Sequence, residues 1–152
     1  MICRPINEAL AEEQHRKNEP NLRAFEELKN SRLNDRFEND TIKETIGNPL
    51  LLAMYEGDLI IGFVLLAYND ASSYLPEATR GRYGLVDWIE TGNYGTRYNC
   101  AVEIYYGIIN NFSGSGLWVF YGRDSFANGG FSSCFEIIGA TADGEPIAML
   151  RR

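Results

Sequence analysis

The stretch IETGNYGTRYNCAVEIYYGIINN, Ile89 to Asn111, holds the residues whose types and spacing could do chemistry. Gly92 and Gly95 stand ahead of a run with apolar residues at helical spacing, so Gly92, Asn93, Tyr94, Gly95, Thr96, Arg97 and Tyr98 form a turn that opens a helix. The first amides of a helix have no partner within it, the helix dipole adds partial positive charge, and glycine lets the chain approach a bound anion closely. That spacing suits a phosphate cradle. It suits equally a plain helix start, in which Thr96 or Asn99 caps the helix and the two glycines serve only the turn.

The elements around the turn follow from local pattern. Ala101, Ile104, Tyr105, Ile108, Ile109 and Phe112 recur at helical spacing and give an amphipathic helix of about three turns. Leu85 to Ile89 reads as the short strand before the turn. Upstream, PLLLAMYEGDLIIGFVLLAYND predicts a hairpin turning at Glu56, Gly57 and Asp58. Before that, Glu8 to about Ile46 has the composition of two helices, with Leu22, Phe25, Leu28 and Leu33 on a buried stripe and Pro20 opening the second. Downstream, GLWVFYG reads as a buried strand, Arg123 to Gly130 as at most a turn or two of helix, and Asp143-Gly144 as the turn of a closing hairpin.

Composition narrows the function. A chain of 152 residues suits one packed core, so residues 1–152 read as a single domain. Fourteen basic against twenty-one acidic residues give a net charge of -7, which opposes direct nucleic-acid binding and permits the covering of a basic partner. Cys3, Cys100 and Cys134 show no metal-like spacing, and the single histidine, His15, lies in a charged stretch; no metal site is expected. Reduced thiols, the absence of an apolar leader and the lack of a bilayer-length apolar segment predict a cytoplasmic protein without a membrane anchor. Trp88 and Trp118 read as core anchors.

The order of elements resembles the GNAT family of N-acetyltransferases. The matching stretches are LLLAMYEGDLIIGFVLL for an early hairpin, TGNYGTRYNCAVEIYYGIIN for a cofactor turn and its helix, and GGFSSCFEI with EPIAMLRR for the closing elements. The resemblance implies an α/β (α+β) fold, a mixed, mostly antiparallel sheet flanked by helices and splayed near Glu90. It further implies acetyl-CoA as cofactor and an amine of a small molecule or protein as acceptor. With Gly95 on the family's first cradle glycine, Gly92 falls where Arg or Gln is usual and Arg97 where a second small residue is usual. Both depart from the family pattern.

Acetyl transfer from a thioester to an amine needs a group that takes the amine proton and a donor for the departing thiolate. Glu90, at the end of the central strand, is the best-placed base, with Asp87 second. The family often uses a tyrosine as the donor, but the corresponding place, near Phe126, has no hydroxyl, which leaves Tyr121 as the substitute. A second reading is an acidic inhibitory or immunity-type binding protein: GLWVFYGRDSFANGGFSS looks somewhat like a stretch of ArdB-type antirestriction proteins. A third combines the two, a GNAT-like fold that has kept a binding surface without catalysis.

Overall fold

The computed structural model describes residues 2–38, 49–69, 83–93, 101–112, 116–121, 126 and 130–151. In chain order the elements are β1 (Ile2–Pro5), α1 (Ile6–Arg16), α2 (Glu19–Lys29), α3 (Arg32–Glu38), β2 (Leu50–Glu56), β3 (Leu59–Asn69), β4 (Tyr83–Glu90), α4 (Ala101–Asn111), β5 (Leu117–Phe120), a 3₁₀ turn (Phe131–Ser133), β6 (Phe135–Ala140) and β7 (Pro146–Leu150). The seven strands make one sheet in the order β1-β2-β3-β4-β5-β7-β6. Every pairing is antiparallel except β4 with β5. The fold is therefore the mixed, mostly antiparallel α/β arrangement expected.

The hairpin β2–β3 forms because two long apolar runs flank Gly57, whose φ of 59° is the left-handed conformation a tight turn needs. Its central residues are buried on both faces of the sheet, so the strands read as continuous apolar runs rather than alternating ones. On one face Leu51, Ala53, Phe63, Leu65 and Leu85 pack against Ala9 of α1, Ala24, Phe25 and Leu28 of α2, and Leu33 of α3. On the other, Leu52, Met54, Val64, Leu66, Val86 and Trp88 pack against Ala101, Ile104 and Ile108 of α4 and against the rings of Phe126, Phe131 and Phe135. Trp88 and Trp118 are both core residues, as expected.

Several boundaries differ from the sequence expectation. Among the described residues three helices, not two, precede the hairpin, because the chain breaks after Lys29 where Asn30 and Ser31 turn their side chains back onto Glu26 O and Leu28 O. Asn18 caps α2, and Pro20 sits in its first turn as predicted. The strand β1 was not foreseen: four residues are too few to show a period of two, and it exists because β2 offers it an edge. Ile109, expected on the buried stripe of α4, is 40% exposed.

Candidate functional site

The sheet opens where β4 meets β5. Their parallel ladder pairs Gly84, Leu85 and Val86 with Trp118, Val119 and Phe120, and Tyr121 N–H donates to Val86 O at 2.9 Å. Strand β4 continues for four more residues, paired on its other side with β3 up to Glu90. Strand alternation then turns the backbone groups of Trp88 and Glu90 toward the side on which β5 has ended. The close start of the wedge depends on Gly84, where an added Cβ would lie 2.3 Å from the Trp118 ring.

One cluster lies against this wedge. Asp87 is fully buried; its Oδ1 accepts from Arg32 Nη2 at 3.0 Å and its Oδ2 from Arg36 Nε at 3.1 Å. Arg32 also reaches Trp88 O at 3.4 Å, and the Arg36 guanidinium lies over the Tyr121 ring at 3.9 Å from its centre. Both arginines come from α3, whose i, i+4 spacing sets them on one side of the helix. Burial pushes the Asp87 carboxyl above its ordinary range, against the pull of Arg32 and Arg36. Burial also raises the Tyr121 hydroxyl, so it holds its proton at neutral pH and is fit to donate a hydrogen bond.

The two expected catalytic residues do not come together. Alternation along β4 puts Glu90, exposed and opposite Gly62, on the α4 face, whereas Tyr121 packs with the residues of the α1–α3 face. Asp87, the second choice of base, has each oxygen held by a guanidinium, so it ties α3 to β4. Phe126 is buried between Phe120, 4.9 Å away, and Phe131, stacked at 5.7 Å. A tyrosine hydroxyl among those rings would lack a partner, which costs about 1–3 kcal/mol.

The start of the turn is corrected as well. Gly92 N–H donates to Glu27 Oε2 at 2.9 Å, and Asn93 N–H donates to Thr91 Oγ1 at 3.3 Å. Thr91 itself is buried and ties β4 to β3 through Ile60 O and Ile61 O, while Asn93 Nδ2 donates to Pro20 O. The Gly92 and Asn93 amides are thus both engaged within the chain. A Cβ at Gly92 would lie 3.0 Å from Glu27 Oε1, so a side chain there would press on the Glu27 carboxylate. Tyr94, Gly95, Thr96, Arg97 and Tyr98, with Cys100, lie outside the described residues.

Sequence reasoning missed Arg32, Arg36 and Glu27. The only local sign was a pair of arginines four apart in an acidic stretch; their partners lie more than fifty residues away. Among the described residues no three His, Cys, Asp or Glu side chains group as metal ligands, and no helix is long and apolar enough to cross a membrane. No family model, no curated protein and no solved structure matches this chain.

Proposed function

We propose that the chain is an acyl-CoA-dependent N-acetyltransferase of the cytoplasm, acting on an amine of a small molecule or protein, with the β4–β5 wedge as its active site. The observation that carries the reading is the wedge itself: a central strand that outruns its parallel neighbour after Val86, followed by a turn and then an amphipathic helix. That is the order of elements on which the GNAT resemblance rests. Arg32, half exposed and in contact with Trp88 O, supplies positive charge at the wedge.

Acetyl-CoA would supply the activated acetyl group. Glu90 would take the amine proton, directly or through water, as the amine nitrogen bonds to the acetyl carbon; Tyr121 would give its proton to the sulfur as the carbon–sulfur bond breaks. Glu90 and Tyr121 face opposite sides of the sheet, so this reading requires the reacting bond to reach past the end of the β4–β5 ladder. Arg36 over its ring keeps Tyr121 at that position.

The Glu27 bond to Gly92 favours a second reading, a fold of this type that acts as an acidic binding protein without the cofactor. A thermal-shift titration with acetyl-CoA beside coenzyme A and inorganic pyrophosphate separates the two, since a ligand bound only by the native state raises its apparent stability. The enzyme reading predicts a saturable rise with acetyl-CoA, enlarged in Glu27→Gln, which removes a competing carboxylate from the turn. No rise at millimolar acetyl-CoA in either protein would leave the binding-protein reading standing.

A further inference from the structure

A cavity of about 570 Å³ separates α4 from the edge of the sheet formed by β1 and β2. It is on the α4 face, on the far side of β3 from the β4–β5 wedge, and shares no residue with the cluster around Asp87. Its cause is local. The α4 stripe Ala101, Ile104 and Ile108 meets the middle of the sheet. The adjacent stripe, Glu103, Tyr106, Gly107 and Asn110, turns toward β1 and β2 at the same helical spacing but carries a charge, a glycine and an amide in place of packing residues. The opposite wall is Cys3, Pro5, Leu50 and Leu52.

Glu103 is the anomaly in this cavity. Its Oε2 is buried with no hydrogen-bond partner. Among the described residues no lysine, arginine or histidine lines the cavity to answer its charge. Buried polar atoms are nearly always paired, and a carboxylate held against apolar walls is costly until a cation joins it. The neighbouring Cys3 thiol registers that field: burial and then the Glu103 carboxylate push it up to about 11, the amino terminus acting the other way.

We propose that this cavity binds a small organic cation, an alkylammonium group whose charge pairs with the Glu103 carboxylate and whose apolar part lies along Leu50, Leu52 and Pro5. The amide of Asn110 and the hydroxyl of Tyr106, both at the cavity wall, give the ammonium its remaining acceptors. The proposal is independent of the acetyltransferase reading, because the cavity is a separate site from the wedge.

The test is a calorimetric titration of the full chain with hexylammonium chloride, beside hexanol and sodium hexanoate at matched ionic strength. Hexylammonium should bind saturably and at least tenfold more tightly than either control, and Glu103→Gln should lose that advantage. The unliganded Glu103→Gln protein should melt no lower than the parent, since an unpartnered charge has been removed without change of shape. In the unaltered protein, hexylammonium should also change the rate at which iodoacetamide alkylates Cys3, a readout that needs no variant. Equal binding of hexylammonium and hexanol, undiminished binding by Glu103→Gln, or alkylation of Cys3 unchanged by the amine would each overturn the proposal.

Discussion

Asp87 and Glu103 lie on opposite faces of one sheet, and both withdraw carboxylate oxygen from water, but their surroundings differ in kind. Asp87 has a guanidinium on each oxygen and lies where α3 meets β4. Glu103 has a buried oxygen with no partner and lies where α4 stands away from β1 and β2. The first charge is answered from within the chain and fastens a helix to the central strand beside the wedge. The second has no hydrogen-bond partner on its buried oxygen and no lysine, arginine or histidine among the described residues that line its cavity. A buried charge thus marks a joint when its partners are present and a binding site when they are missing.

If Asp87 is a joint, Asp87→Ala should be the most damaging change, because it leaves Arg32 and Arg36 without the carboxylate they share. Removing one partner of a buried pair costs about 3–5 kcal/mol, and the half-exposed Arg32 places the expectation near the lower bound. Urea unfolding measures it, and a loss below about 1 kcal/mol, the usual worth of a surface pair, would break the comparison.

The titration of the same group gives a sharper test. Its carboxyl is raised above the ordinary aspartate value of 3.8 chiefly by burial. The folded chain then holds the proton more tightly than the unfolded chain, so the group's contribution is fully present below the ordinary value and is lost as the pH rises through the raised one. The margin of stability of the parent over Asp87→Asn should accordingly narrow as the pH rises above the ordinary aspartate value. A margin that widens would mean that the arginines, not burial, set the titration.

On the other face the signs reverse. Glu103→Gln should stabilise the unliganded protein, by up to about 1 kcal/mol, as the unanswered charge is removed. A destabilisation of that size would make Glu103 an ordinary structural residue. Gly107→Ala is expected to act in the same direction and to no greater extent: the new methyl would meet Leu66 Cδ1 at 3.5 Å, ordinary contact, and replacing glycine within a helix favours the fold by about 0.8–1 kcal/mol at most. Thermal unfolding reads both.

The sequence made local structure legible and left long-range pairing hidden. The hairpin at Gly57, the helix from Ala101 and the closing turn before β7 each depend on residues within a few positions of one another. In the closing turn Gly144, at φ 85°, donates to Thr141 O at 2.9 Å. The candidate site is different in origin. Arg32 and Asp87 are 55 positions apart, Glu27 and Gly92 are 65 apart, and no periodicity connects them. For the same reason the turn looked open to an anion: its glycine was visible in the sequence, but the carboxylate that takes the Gly92 amide was not. Glu90 and Tyr121 were legible as strand-end residues, while their opposite facing followed only from the register of β4 and the packing of β5.

The central claim, that the β4–β5 wedge receives acetyl-CoA, is tested most directly by following backbone and side-chain nuclear magnetic resonances during an acetyl-CoA titration. The account predicts saturable shifts at Arg32, Trp88, Glu90 and Tyr121, with Cys3 and Tyr106 at the β1–β2 edge unaffected. Resonances at the wedge that do not move at millimolar acetyl-CoA, or shifts confined to the Cys3 and Tyr106 side, would contradict it.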